Sequence, residues 1–354
     1  MTRPLLVTAD PDALDDLLRL AASAGVEVDV AADVPAAVRS WSAAPLVVVG
    51  QDLLDALARV RPGRRAGVVV LGQDLDDAGI WQPAVQVGAE HVVFLPDAEG
   101  WLVGAFADAV ESGGPGVLVA VLGGRGGAGA TTLSCALALS GVRRELRALL
   151  VDGDPLGGGI DLVFGGELER GLRWPDLGTT RGRLPAQALA EALPTLAGLS
   201  VLSWDRGDVP QLPIEAVQAV LAAARRTWDL VVVDLPRSLD EASREVLAAA
   251  DRALLVVPAE VRATAAAARV AGRAGPLCRD LRLVVRGPAP SGLSASAVAT
   301  ALGLPLVGQV RAESGIEVAL ERGEPPGTRA RSPLGSLCDR LLDDLVPGTL
   351  RRAA

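Results

Sequence analysis

The residues best able to do chemistry lie in one stretch, Val119-Ala120-Val121-Leu122-Gly123-Gly124-Arg125-Gly126-Gly127-Ala128-Gly129-Ala130-Thr131-Thr132-Leu133. An apolar, strand-forming run enters a loop with five glycines in seven residues, and Thr-Thr then opens a helical pattern. Glycines let a backbone approach a phosphate closely, and the N–H groups at a helix start face the anion. A plain tight turn would need neither so many glycines nor the two threonines. Gly124-x-Gly126-x-x-Gly129 is also a dinucleotide fingerprint, and Asp152 ends the next apolar run about twenty residues on, where a ribose-binding acid belongs. That fingerprint alone is a weak signal, and no convincing catalytic acid or base accompanies it. A dinucleotide-dependent oxidoreductase therefore stands as the rival from an enzyme class, and NAD(H) titration separates the two.

The side-chain inventory narrows the chemistry. All 34 basic residues are arginine, so Schiff-base lysine chemistry and a P-loop lysine are excluded. One histidine, His91, and three widely spaced cysteines, Cys135, Cys278 and Cys338, serve neither a zinc site nor a Ser-His-Asp triad. The six tryptophans are scattered, so no stacking platform for single-stranded nucleic acid is visible.

These residues need a scaffold. A chain of 354 residues, 50% hydrophobic, suits roughly two domains of about 150 residues each. No apolar run approaches the ~18 residues of a membrane helix, and the start reaches Asp10 too soon to hold a secretory apolar region. Export and membrane spanning are not expected. Residues 1–114 hold 17 acidic groups against 7 arginines, net −10, whereas the rest is near neutral at +1. An acidic first third would repel a polyphosphate backbone, although net charge mainly reports solubility. The charge break coincides with the turn-rich cluster Ser112-Gly113-Gly114-Pro115-Gly116, read as a linker over residues 112–116.

Before it, apolar runs at Leu5–Thr8, Val26–Ala31, Leu46–Gly50, Gly67–Leu71 and His91–Leu95 alternate with helical patterns such as Asp12–Ala24. After it, runs at Val117–Leu122, Ala148–Val151, Leu199–Ser203, Leu230–Val233, Ala253–Val257, Leu281–Val285 and Leu306–Val310 follow. They are continuous rather than alternating, as strands buried on both faces require. The fold class is α/β, with two doubly wound parallel-sheet domains. The C-terminal stretch Leu334, Leu337, Cys338, Leu341, Leu342, Leu345 has helical apolar spacing, and its acidic flank favours core packing over a membrane surface.

The loop Arg125-Gly126-Gly127-Ala128-Gly129-Ala130-Thr131 resembles the deviant Walker A motif of the MinD/ParA family, K-G-G-x-G-K-[ST], at every position except the two lysines. Three further segments keep the family's order. Leu149 to Gly158 resembles its strand-DxDP segment, Trp228 to Pro236 its Walker B strand, and Ala250 to Glu260 its next strand. Leu302 to Val310 and Ala319 to Pro326 resemble its closing segments. The resemblance covers about residues 116–346, and four ordered motifs favour this family over the dinucleotide reading. Residues 1–111 resemble response-regulator receiver domains, with Gly88 to Pro96 similar to the last strand and its flanks. That combination, with Gly171 to Leu177 and Leu202 to Asp205, resembles the CpaE-like branch, which includes septum site-determining proteins.

The resemblance implies a MinD/ParA-like domain over residues 117–354. It implies ATP or ADP with Mg²⁺ as cofactor, cradled by Gly124, Arg125, Gly126, Gly127, Ala128, Gly129, Ala130, Thr131 and Thr132. Thr131, Asp152 and Asp234 would serve the metal, and Asp154 and Asp234 the catalysis. Ala130 removes the loop's own charge, and loss of one preorganised donor costs on the order of 10²–10³ in rate. Hydrolysis is expected to be weak or absent. Arg125 would either act across a dimer as an arginine finger or lie solvated.

In the receiver-like domain the acidic-pair positions hold Thr8 and Ala9, with Asp10 and Asp12 close by; the phosphate-acceptor position holds Gly50, with Asp52 two residues beyond. The remaining positions hold Gly72 and Leu95. This reads as a degenerate receiver, with Asp52 as a displaced acceptor the minority reading.

The implied function is spatial regulation of septum placement or of an envelope machine, with a pilus or secretion assembly role as the alternative. Partners would be division, pilus or secretion proteins and a nucleotide-dependent homodimer, without nucleic acid and without a transmembrane segment. The location would be cytoplasmic, reaching membrane or septum through partners. A pure interaction scaffold with a dead site is the remaining rival.

Overall fold

A computed structural model describes residues 3–65, 67–75, 77–110, 116–180, 184–207, 212–287, 292–311, 313–329 and 331–346. The chain divides into two compact units, Met1–Ser112 and Gly113–Ala354. The expected linker lies outside the described residues except for Gly116, whose N–H donates to the Arg225 carbonyl at 2.7 Å and so belongs to the second unit.

The first unit is a parallel sheet of β1 (Leu5–Val7), β2 (Asp29–Ala31), β3 (Val47–Gly50), β4 (Val68–Gly72) and β5 (His91–Phe94), in the order β2-β1-β3-β4-β5. Parallel neighbours need crossovers, and the helices that supply them cover both faces. Leu17, Leu20, Leu102 and Phe106 fill one side, and Leu54, Leu57, Ile80 and Ala84 the other. The helix Pro11–Ser23 starts where it does because Asp10 accepts from the Asp12 N–H and Pro11 needs no partner for its nitrogen. Strand β2 is shorter than the apolar run Val26–Ala31 suggests, and its first two residues are exposed.

The second unit holds β6 (Val117–Gly123), β7 (Ala148–Asp152), β8 (Thr195–Leu196), β9 (Leu199–Leu202), β10 (Leu230–Leu235), β11 (Arg252–Pro258), β12 (Leu281–Gly287) and β13 (Leu306–Arg311). Their order is β13-β12-β11-β6-β10-β7-β9-β8. All pair in parallel except β8, which returns antiparallel on β9 through Ala197-Gly198, both at positive φ. Two residues are too few to read as a strand in sequence. After β6 the chain crosses to β7, and β10 later fills the place between them while β11 takes the other side of β6. Such a reversal leaves a crevice at the carboxyl ends of the strands. There the register sets Asp234 of β10 beside Asp152 of β7.

The helix Ala130–Arg143 packs against the C-terminal helix Pro333–Leu345, which buries Leu334, Leu337, Cys338, Leu341 and Leu342. Its acidic flank meets arginines, with Arg144 2.7 Å from Asp343 and Arg143 3.4 Å from Asp339. The helix is core, as its charge pattern suggested. Among the described residues no helix is long and apolar enough to cross a membrane.

Candidate functional site

The glycine loop joins β6 to the helix Ala130–Arg143 at the crevice. Gly124 lets the loop lie against the helix Val261–Ala274, since a Cβ there would sit 2.6 Å from that of Ala267. Gly127 (φ +66°) and Gly129 (φ +97°) hold left-handed backbone that favours glycine. Ala128 is buried and anchors the loop, while the outer side of Gly126 and Gly127 has no neighbour within 4 Å of a built Cβ. The helical ladder starts with the Leu133 N–H on the Gly129 carbonyl, so the N–H groups of Ala130, Thr131 and Thr132 precede it and need an outside acceptor. Such a helix start presents donors that an anion could take.

Beneath it lies a buried carboxylate. Asp234 at the end of β10 accepts from Thr131 Oγ1 at 2.7 Å and Ser134 Oγ at 2.8 Å. Burial pushes its carboxyl up to about 7; the two hydroxyls pull it down, and the Asp152 and Asp154 charges raise it further. Burial likewise pushes Asp152 up to about 6, against donors from the Ile160 and Asp154 N–H groups and Ser203 Oγ. Both oxygens of Asp152 are thus engaged in holding the loop that follows β7. It is 3% exposed, so it is badly placed for the ribose that the dinucleotide reading requires. Asp154, on that loop, accepts from the Leu156 N–H. Thr131, Asp152, Asp154 and Asp234 line one cavity of about 580 Å³, together with Leu320, Glu321, Arg322 and Gly323 among others. Sites of about 300–1,000 Å³ accommodate small ligands.

The donor set suits a hard cation. A hydroxyl and a carboxylate 2.7 Å apart are oxygen ligands, and among the described residues no group of three or more His, Cys, Asp or Glu is arranged to hold a metal alone. Mg²⁺ takes one or two protein oxygens with water and phosphate in such sites. The residues present therefore fit a Mg²⁺–phosphate ligand.

Arg125 is paired with a carboxylate of its own chain. Its Nη2 donates to the two oxygens of Glu260 at 3.0 and 3.1 Å, and its Nη1 to the Gly126 carbonyl. In the single chain it is held by this partly exposed pair. Glu260 precedes the helix Val261–Ala274 without a side-chain capping bond there. Ala130 packs against the apolar core of the C-terminal helix side.

Three residues of the site escape a reading of the sequence. Ser134 had a signal, a polar residue inside the buried run Leu133–Leu139 and one turn after Thr131. Glu260 and Asp161 had none. Asp161 is fully buried beside the Asp154 loop, with Arg206 donating to it at 2.6 and 2.9 Å and Arg173 3.6 Å away. Trp174 and Trp204, distant in sequence, pack with ring centres 6.1 Å apart, but both are buried and offer no stacking platform.

In the first unit the carboxyl ends of the strands are occupied by hydrogen bonds internal to the chain. A Cβ at Gly50 would lie 2.5 Å from Asp52 Oδ1, so the carboxylate of Asp52 fills the place of a side chain at the acceptor position. Thr8 Oγ1 donates to one oxygen at 2.8 Å and the Ala9 N–H to the other at 2.7 Å. Asp10 caps its helix. Acetyl phosphate with Mg²⁺ is expected to leave the intact mass unchanged; an adduct lost in Asp52→Ala would show phosphotransfer. The substitution itself is expected to cost about 1 kcal/mol in chemical unfolding, for two hydrogen bonds at a partly exposed site.

Residues 7–116 match the family model described as Rv3660c-like, CheY-like N-terminal domain. The chain is 44% identical to the protein Rv3660c of Mycobacterium tuberculosis over 349 residues, 97% of each. The ParA family ATPase from Chlorobium tepidum TLS superposes with a TM-score of 0.58 at 16% identity, over 65% of this chain and 99% of that one. The septum site-determining protein MinD complexed with Mg-ADP from Pyrococcus horikoshii OT3 superposes with a TM-score of 0.50 at 16% identity, over 65% and 96%. At these identities the two structures show a shared fold.

Proposed function

The chain belongs to the family of Rv3660c, with a receiver-like unit followed by a MinD/ParA-like one, and from that premise we propose that it is a nucleotide-responsive spatial regulator of septum placement or of a CpaE-like envelope machine. One observation carries the reading most: the buried Asp234 carboxylate receives the Thr131 hydroxyl directly beneath an open glycine loop. The MinD/ParA-like relatives point to regulators of the division and partitioning type.

In this reading the free N–H groups of Ala130, Thr131 and Thr132 bind the phosphates of ATP or ADP. Thr131 Oγ1 and Asp234 would hold Mg²⁺, with Ser134 fixing the Asp234 carboxylate. Asp154, on the loop that Asp152 braces, orients water. Bound Mg-ATP supplies a phosphoanhydride whose cleavage releases the switch. Its catalysis is mostly positioning and charge stabilisation, and Ala130 offers no charge. Binding is therefore retained while hydrolysis is slow, and the nucleotide state governs contacts with division, pilus or secretion proteins and with a second copy of the chain.

Equilibrium binding of ATP and ADP with Mg²⁺ tests this. Saturable binding is expected, at least tenfold weaker in Thr131→Ala and in Asp234→Ala, and tighter in Ala130→Lys. Absence of binding by wild type and Ala130→Lys alike would overturn the reading and leave an interaction scaffold. In cells, a fluorescent fusion is expected to concentrate at septa or poles and to become diffuse with Thr131→Ala.

A further inference from the structure

The loop lacks a cation of its own, and Arg125 is tied to Glu260. The fold brings another arginine to the same place. Arg286 sits near the end of β12, which is separated from β6 by β11. A Cβ built on Gly129 would lie 3.6 Å from Arg286 Nη1 and 3.8 Å from its Cδ. The side chain therefore lies over the loop residue that caps the helix Ala130–Arg143, one position before the alanine that stands where a lysine would. Its backbone is fixed, with its carbonyl accepting from the Ala259 N–H at 2.9 Å and its Cα paired with Pro258 and Val310. Arg286 is partly buried as a residue, and among the described residues its guanidinium has no hydrogen-bond or ion-pair partner.

A second cavity, about 350 Å³, adjoins this flank and is lined by Gly129, Thr132, Arg286, Arg311, Glu313 and Glu317 among others. Consecutive threonines thus face two chemically different spaces. Thr131 lines the cavity of Asp152, Asp154 and Asp234, and Thr132 the one that Arg286 and Arg311 share with Glu313 and Glu317. A cation without a partner is available to an anion that reaches it.

We propose that Arg286 is the cation of the phosphate loop, delivered from a neighbouring strand in place of the missing lysine. This rests on the phosphate-binding reading of the loop. A polyphosphate on the loop would have Thr131 and Asp234 on its metal side and Arg286 on the other. A planar guanidinium held by a strand suits phosphate oxygens in a fork, where a lysine would act as a point charge.

The test is equilibrium binding of Mg-ATP and of inorganic triphosphate with Mg²⁺ to the full chain. Arg286→Ala is expected to weaken both by about tenfold or more, as loss of a charge-assisted bond does. Arg286→Gln, which keeps a polar side chain without the charge, is expected to weaken both similarly, and Arg286→Lys less. Adding Ala130→Lys to Arg286→Ala is expected to restore most of the binding. Added salt is expected to weaken wild-type binding more than that of Arg286→Ala. Unchanged triphosphate binding in both neutral variants, with Thr131→Ala still weakened, would overturn this inference and leave the nucleotide reading standing. So would a loss confined to ATP, which would move Arg286 to the base or sugar. No binding of either ligand by wild type would overturn both.

Discussion

Asp161→Ala is expected to lower the unfolding free energy of the second unit by about 3 kcal/mol, at the lower end of the ~3–5 kcal/mol seen when one partner of a buried ion pair is removed. The carboxylate has no exposed surface and takes two hydrogen bonds from Arg206, a 3.4 Å contact from Ser203 Oγ and the charge of Arg173 at 3.6 Å. Without it two guanidinium groups face each other across a cavity. Arg206 is nearly half exposed and can return to water, which keeps the loss from the upper end, whereas the Arg173 side chain is 11% exposed and cannot. Asp161→Asn keeps an acceptor and is expected to cost less. Denaturant unfolding with an unchanged slope measures the effect, and a loss below about 1 kcal/mol would refute it. The same substitution loosens the Asp154 loop, because Ser203 bridges Asp161 and Asp152. Weaker Mg-ATP binding should accompany the lost stability.

The metal-free protein is expected to lose stability as pH rises from about 4 to about 7 and to level off above that. Asp234 rises from an ordinary 3.8 to about 7 in the folded chain, and Asp152 to about 6, chiefly through burial. Between the unfolded and folded values the folded state holds more protons than the unfolded one, so the unfolding free energy falls with pH. The Asp234 rise corresponds to on the order of 4 kcal/mol across the window. Asp234→Asn removes the charge and keeps an acceptor for one hydroxyl. It is expected to flatten the profile and to be more stable than wild type at pH 8 by on the order of 2–3 kcal/mol. Mg²⁺ at pH 8 should restore stability to wild type and not to the variant. Chemical unfolding in EDTA at pH 5, 6.5 and 8 reads all of this, and a profile rising with pH in wild type would contradict it.

The glycine loop was legible because its demands are local. Gly127 and Gly129 stand at positive φ, and a five-glycine cluster after an apolar run has few other uses. Asp152 and Asp234 were legible because each ends a run of buried strand residues, and strand ends in a parallel sheet open into the crevice. The C-terminal helix was legible because one apolar stripe with an acidic flank needs a basic partner surface, which Arg143 and Arg144 supply. The fate of Arg125 was not legible. Its partner Glu260 lies 135 residues away, and nothing local distinguishes a paired arginine from a solvated one. Asp52 was half legible: its displacement from Gly50 could be counted, but the Thr8 hydroxyl and Ala9 N–H that hold it arrive from another strand.

Sequence alone thus determined the alternation of strands and helices, the glycine loop between a strand and a helix and the absence of any lysine in it. These follow from periodicity, backbone freedom and residue inventory, which act over a few neighbouring positions. Tertiary structure alone decided which charges meet. It set Asp161 between Arg206 and Arg173, tied Arg125 to Glu260 and laid Arg286 over Gly129. Strand order brings those residues together, and strand order depends on how whole crossovers pack, which no short stretch of residues encodes.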